Sequence, residues 1–436
     1  MRIVDTGTDT GSGNSDEGLL GLRGRTGLAR HELQAHFAAL LDLPNIAVLL
    51  GAGASLCAGG HHMGQIKQSV DAERLQDAAL ETAYQRLLND GFTADLCALE
   101  TRWTELKLLL EAARVGRFVA CKDEVEHVLL AFERALMRAA RLDAVDPSES
   151  QATQPAKTLA HHRALLRKLV YSRQPGQPAP WVFTTNYDLA VEWAAEDESV
   201  ALVTGFEGLH QRRFSPRSYE LGWYNTQARG EARFGNSYLY LAKIHGSLSW
   251  TLERGAVVEE PWGLARSRVD AFVSKTSAKH GSVLIPPSAA KYVDTVGFVH
   301  GEMFRRFAEF CARPNATVLV NGYSFSDPHI DRILLSALSN PTFHLVVCVF
   351  GTAPQATPGA LREAVLAADL NDRLRRLVEQ DHPAVTVVVG DANTGAAAFD
   401  RFVGVLPDPA LLDERSREMR RRLGDLLRAM SGEGAA

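Results

Sequence analysis

Asn45-Ile-Ala-Val-Leu-Leu-Gly-Ala-Gly-Ala-Ser55 decides the fold. Ile46 to Leu50 is an unbroken apolar run that passes straight into a glycine turn. A short run of this kind reads as a strand buried on both faces, as in a parallel sheet covered by helices. A glycine turn at its end allows a sharp reversal and a close backbone approach to an anion, with the N–H groups of the next helix facing it. The dinucleotide fingerprint asks for a third glycine at position 56, where this chain has Leu56. Gly51, Ala52, Gly53 and Ser55 therefore read either as a pyrophosphate cradle or as a tight strand–helix turn without a ligand.

Similar runs recur downstream at Trp181–Thr185, Leu239–Ile244, Val283–Ile285, Thr317–Asn321, Leu345–Phe350 and Val385–Val389. They are expected to be central parallel strands. Helical stretches between several of them give the fold class: α/β, a Rossmann-like doubly wound, mostly parallel sheet. Between about 65 and 150 the period changes. Leu80, Tyr84 and Leu87, then Val125, Val128, Leu129, Phe132 and Leu136, recur at helical spacing. This predicts an inserted helical subdomain closed by a polar linker, within a main domain spanning residues 29–408. Residues 1–28, rich in glycine and without periodicity, are expected to be a disordered arm. Residues 409–436 are expected to hold an amphipathic helix and a tail.

The chain has 436 residues, 46% of them hydrophobic and 23% charged, which suits a large self-sufficient core. Lys and Arg number 47 against 52 Asp and Glu, a net charge of −5, which excludes a globally basic nucleic-acid coat. Direct nucleic-acid binding is not expected. The five cysteines are far apart and form no C-x-x-C pair, which argues against a disulfide framework or a Cys₄ zinc site and fits a reducing cytoplasm. The histidine pairs His61–His62 and His161–His162 lack ligand spacing, so no metal site is expected. No apolar run is long enough to span a bilayer, and the N-terminus lacks the pattern of a secretory signal.

Four further segments place polar chemistry at strand ends, where open α/β sheets bind ligands. In Val182-Phe-Thr-Thr-Asn-Tyr-Asp188, Thr185, Asn186 and Asp188 follow a buried strand. The amide and the carboxylate can bond sugar hydroxyls and hold a water; equally, either can cap a helix. In Leu241-Ala-Lys-Ile-His-Gly246 a strand delivers His245 beside a glycine that frees space above the ring. That histidine is a general base or a satisfied core group. In Val318-Leu-Val-Asn-Gly-Tyr-Ser-Phe-Ser-Asp-Pro-His329, Gly322, Tyr323 and Ser324 suit a turn gripping a ribose. Ser326 stands where a nucleophile elbow needs glycine, so a serine triad is not expected, and Asp327 before Pro328 reads as a helix cap. Asp391 ends the Val385 strand, either closing the adenine side of a pocket or making an ordinary turn.

In order, these segments resemble the sirtuin superfamily: a Gly-Ala-Gly-x-Ser loop, a Thr-x-Asn-x-Asp segment, a His-Gly pair, a Gly-x-Ser turn and a late adenine-side turn. The resemblance spans roughly residues 45–403. Two departures stand out. The paired C-x-x-C motifs of a zinc ribbon are missing after His245–Gly246, so no zinc ribbon is expected, and Gly59-Gly-His-His-Met-Gly64 replaces the Pro-Asp-Phe-Arg segment of the protein deacetylases. The chain thus looks like the zinc-free, sirtuin-like branch that acts in prokaryotic antiphage defence.

That resemblance implies an NAD⁺ hydrolase that releases nicotinamide and ADP-ribose and depletes cellular NAD⁺ during abortive infection. It implies Asn186 at the nicotinamide ribose and attacking water, His245 as general base, and Asp188 at the nicotinamide side. Gly51–Ser55 would hold the pyrophosphate and Gly322–Ser324 the adenosine ribose. It also implies a partner such as a HerA-type ATPase or a short Argonaute, and the amphipathic helices suggest a homo-oligomer. A zinc-free deacylase, an ADP-ribosyltransferase and a non-catalytic NAD⁺ or ADP-ribose sensor are the alternatives.

Overall fold

The computed structural model describes residues 19–89, 106, 108–110, 122–142, 158–174, 176–227, 229–230, 238–285, 297–353, 357–367, 372–391 and 399–409. The expected C-terminal helix lies outside these residues.

The strand read first is present as β3 (Asn45–Leu50), after a hairpin of β1 (Leu20–Arg23) and β2 (Thr26–Leu28). β4 (Trp181–Thr184), β5 (Ala201–Val203) and β8 (Tyr238–Lys243) lie to one side of it. β12 (Ala316–Asn321), β13 (His344–Ala353) and β14 (Val385–Asp391) lie to the other. The sheet order is β2-β1-β14-β13-β12-β3-β4-β8-β5, and every pairing from β14 to β5 is parallel. After β3 the chain builds outward through β4 and β8, then returns to the other flank at β12. The order therefore reverses between β3 and β12, and at such a switch point the loops leave in opposite directions and open a crevice.

Both faces of the sheet are covered. Ile46, Val48 and Leu50 face α1 (Arg30–Leu41), α5 (Ala160–Tyr171), α6 (Ala190–Asp197) and α12 (Phe399–Val405). Ala47 and Leu49 face the opposite layer, with Met303, Phe307 and Phe310 of α8 (Gly297–Cys311), Ile330 and Leu334 of α9 (Pro328–Ala337), and residues of α10 (Leu361–Ala367) and α11 (Asp372–Glu379). Burial on both sides is why these strands are continuous apolar runs rather than alternating ones.

The helical insertion stands between β3 and β4. Its helices α2 (Met63–Gln76), α3 (Ala78–Asn89) and α4 (Lys122–Ala140) share a separate core that holds Leu80, Tyr84, Val128 and Phe132. That core continues into Val269 and Phe272 of α7 (Trp262–Val273) and Leu248.

Three expectations change. The arm predicted through residue 28 is ordered from Leu19 and supplies the antiparallel β1–β2 edge. Val283–Ile285 contributes no parallel strand: β11 (Ser282–Leu284) pairs antiparallel with β9 (Gly246–Glu253). With β10 (Ala256–Glu259), β7 (Arg212–Phe214) and β6 (Phe206–Glu207) they form a second, five-stranded sheet. Its signal was in the sequence: Leu248, Trp250 and Leu252 alternate with Ser247, Ser249 and Thr251. Arg254 and Gly255, at φ +50° and +80°, make the two-residue turn of a β9–β10 hairpin. Thirdly, the glycine turn after β3 opens a short 3₁₀ segment, Ala52–Ala58, with α2 beginning only at Met63.

Candidate functional site at the switch point

The two glycine turns at the switch point interlock. The Gly51 N–H donates to Asn321 O at 3.0 Å, and the Gly53 N–H to Gly322 O at 3.0 Å. A Cβ on Gly51 would lie 2.4 Å from Gly322 O, and one on Gly53 2.7 Å from Gly322 Cα. Gly322 itself has φ +70°, and a Cβ there would lie 2.3 Å from Ala54 N. The glycines are thus required by the approach of one turn to the other. Ala52 is the exposed residue at the tip.

On one side of this junction, Asn186 Nδ2 donates to Gly51 O and to Ser55 Oγ, each at 2.9 Å. A carbonyl oxygen can only accept, so the amide orientation is fixed and Oδ1 is left as an acceptor. Ser55 Oγ donates to Asp188 Oδ2 at 2.7 Å, and Asp188 Oδ1 accepts the Ala190 N–H at 3.1 Å at the start of α6. Asp188 thus bonds the first N–H of α6 from the position before its N-cap, Leu189. The Thr185 N–H bonds Leu50 O at 3.0 Å, tying the end of β4 to the end of β3. Beneath them Lys243, 2% exposed, donates to the carbonyl of Asp188 and, at 2.8 Å, to Glu192 Oε1. Burial raises the Glu192 carboxyl above the usual range, against the opposing charge of Lys243.

On the other side stands His245, 6% exposed, in the turn between β8 and β9 where the chain crosses from the first sheet to the second. Thr184 and Lys243 are register partners, so Asn186 and His245 leave neighbouring strands at the same level. His245 Nε2 lies 2.9 Å from Asp327 Oδ2, and Asp327 is 2% exposed. The other carboxylate oxygen accepts the His329 N–H at 2.9 Å and caps α9, as the sequence predicts. The pairing with His245 could not be read from the sequence, because the two residues are 82 positions apart.

The Asp327 N–H donates to Tyr323 Oη at 3.2 Å, and that hydroxyl donates to Asp331 Oδ1 at 2.7 Å. Asp331 also pairs with Arg373. Burial raises the Asp331 carboxyl above the ordinary range. Phe325, buried at φ +55°, is held in a conformation that bulky residues rarely adopt, between Ser324 and Ser326, whose hydroxyls lie 2.8 Å apart. Gly246, at φ +92°, faces strand β11: a Cβ there would lie 2.2 Å from Val283 O. That approach, and not room above the imidazole, is what requires glycine.

Four of the five motifs therefore meet in one hydrogen-bonded assembly. Two members take inward roles. The Ser55 proton goes to Asp188, and the Tyr323 hydroxyl is engaged with Asp327 and Asp331. Asp391 ends β14, two strands beyond β12 along the same edge. Among the described residues no group of three or more His, Cys, Asp or Glu side chains is arranged to hold a metal ion, and no helix is long and apolar enough to cross a membrane.

Fold and site together define a Rossmann-like α/β protein whose polar side chains converge at the C-terminal ends of its central parallel strands. A family model described as a SIR2-like domain matches residues 180–364, a span that takes in Asn186, His245 and Gly322–Ser324. SIR2-like domains bind NAD⁺, so the match points to NAD-related enzymatic chemistry. A comparison with curated proteins finds no match.

Proposed function

We propose that this protein hydrolyses NAD⁺ at the nicotinamide N-glycosidic bond, giving nicotinamide and ADP-ribose. The observation that carries the reading is the meeting of Asn186 and His245 at the ends of neighbouring strands, beside the interlocked turns of the switch point. Breaking the bond leaves positive charge on the ribose, so the site has to orient a water and take up its proton. Asn186 Oδ1 is an acceptor for the ribose or the attacking water. His245 accepts the proton as the water oxygen bonds to the anomeric carbon and nicotinamide leaves with the electrons of the broken bond. The diphosphate passes over the tip at Ala52, and the turn at Gly322–Ser324 receives the adenosine ribose. Asp188 and Ser55 hold Asn186 in place, which is how both support the nicotinamide side. Asp391 stands toward the adenine side.

The test is purified protein with NAD⁺ and no acceptor, products separated by chromatography. Nicotinamide and free ADP-ribose are expected in equal amounts, with both lost in Asn186→Ala and His245→Ala proteins that keep their far-ultraviolet circular dichroism. Full turnover by a folded His245→Ala protein would overturn the assignment.

On the sirtuin-like resemblance we extend the reading to an antiphage effector that depletes NAD⁺ as a homo-oligomer in the cytoplasm. Its trigger would come from a partner such as a HerA-type ATPase or a short Argonaute, and no zinc would take part. Co-expression with operon neighbours, followed by cellular NAD⁺ measurement during infection, tests this extension. Unchanged NAD⁺ would refute it.

A further inference from the structure

A buried cation closes the loop that carries Asn186 and Asp188 from beneath. Lys243 ends β8 beside Thr184, its register partner at the end of β4, and is 2% exposed. An ammonium group has three protons and accepts nothing, so burying it requires acceptors on the surrounding chain. Lys243 Nζ donates to the carbonyl of Asp188 and, at 2.8 Å, to Glu192 Oε1, and it lies 3.5 Å from the carbonyl oxygen of Tyr187. We infer that Lys243 is a positioning residue: it gathers the carbonyls of Tyr187 and Asp188 and so sets the Asp188–Ser55–Asn186 chain that orients the Asn186 amide. The inference rests on the hydrolase reading for its catalytic meaning, while the placement of the amide can be observed without turnover.

The path from Lys243 to Asn186 is short. The Asn186 backbone N–H donates to Thr184 Oγ1 at 3.0 Å, which fixes the loop where it leaves β4. The next residue is tied to the second sheet: the Leu248 N–H donates to Tyr187 O at 3.0 Å, and Tyr187 Oη donates to Ile285 O at 2.6 Å. Lys243 then holds the carbonyl of Asp188, whose side chain faces Ser55. Ser55 Oγ gives its proton to Asp188 and accepts one amide proton of Asn186, while Gly51 O accepts from the same amide nitrogen. A shift of the Asp188 backbone therefore reaches the Asn186 amide through two hydrogen bonds.

The neighbouring carboxylates show what Lys243 does beyond pairing a charge. Burial raises the carboxyl of Glu259 on β10, and Arg212 of β7 opposes that rise first, with its Nη1 at 2.5 Å. Glu259 thus has a cation of its own. Lys243 serves Glu192 of α6 and, with the same ammonium, the main chain of the loop. An ion pair needs only the carboxylate. The main-chain carbonyls are what a positioning role adds, and they stay in place whichever side chains are substituted.

Removing both charges separates the two roles. Lys243→Met leaves Glu192 buried without its ammonium, so this variant should unfold at lower urea than the wild type under either role. Lys243→Met/Glu192→Leu replaces the pair by apolar side chains of similar size and should recover most of that stability. It does not return a donor to the carbonyls of Tyr187 and Asp188. Nitrogen–proton correlation spectra of the side-chain amides, recorded well below each unfolding midpoint and with Asn186→Ala to assign the signal, are the first readout. In the wild type the two amide protons of Asn186, both hydrogen-bonded, should be well separated and slow to exchange. In both variants they should shift toward the positions of a solvent-exposed asparagine and exchange faster.

Turnover is the second readout. Lys243→Met/Glu192→Leu should lower kcat by on the order of 10²-fold with a much smaller change in KM, since a misplaced amide loses its hold on the transition state. An Asn186 amide signal unchanged from the wild type in the double variant would overturn the inference and leave Lys243 as one half of an ion pair. Recovered stability with a displaced Asn186 signal supports it. The amide spectra decide the placement even if NAD⁺ is not the substrate, so failure of the hydrolase reading and failure of this one are separately visible.

Discussion

Gly322→Ala tests the junction on which the whole site depends. The new Cβ would lie 2.3 Å from Ala54 N and 2.7 Å from Gly53 C, both backbone atoms that no rotamer change can move. The position also has φ +70°, which costs a residue with a side chain about 1–2 kcal/mol. Forcing a methyl group into a filled space adds about 1–3 kcal/mol. The sum is about 2–5 kcal/mol, which corresponds to a fall in melting temperature of roughly 2–6 °C for a domain of this size. Two other glycines calibrate the measurement. Gly255 has φ +80° but open space at its Cβ, so Gly255→Ala should show the backbone cost alone. Gly301, within α8 and equally open, should be stabilised by alanine by about 0.5–1 kcal/mol. The assay is thermal unfolding followed by tryptophan fluorescence, with nicotinamide release measured on the same samples. If Gly322→Ala melts within a degree of the wild type, the interlocked turns do not bear on each other as described.

Two further outcomes follow from burial and from helix patterning. His36 and His300 are held near 4 and His162 near 3, in each case first by burial, against an ordinary value of 6.5. The unfolded chain therefore binds more protons than the folded one between about pH 6.5 and 4. Stability is complete above 6.5 and is lost as the pH falls through that window, and urea midpoints at stepped pH should show it. His300→Gln should flatten the slope, and an unchanged slope in that variant would contradict the role given to this histidine. Light scattering should find an assembly larger than one chain, and a monomer with full NAD⁺ turnover would refute the proposed oligomer.

The parallel sheet was legible because its physics is local. Ile46–Leu50, Trp181–Thr184 and Ala316–Asn321 are buried on both faces, and burial on both faces leaves an unbroken apolar run. The helical insertion was legible for the same reason: one buried stripe imposes the spacing of Val125, Val128, Leu129 and Phe132. The second sheet was harder to see because, apart from β9, its strands are only two to four residues long. Ser282–Leu284 is apolar enough to pass for a central strand, yet only its partner, β9, reveals which sheet it joins.

The sequence by itself determined which segments end in polar residues after a buried strand, and so which residues to suspect: Asn186, Asp188, His245 and the two glycine turns. It also determined that Asp327 caps a helix, since capping acts over two or three residues. Tertiary structure alone decided that Ser55 and Tyr323 turn inward, that Gly246 answers to Val283, and that Oδ2 of the Asp327 carboxylate meets His245. Each of these is a contact between residues far apart in the chain. Its partner is chosen by which strands lie side by side, and no local pattern records that choice.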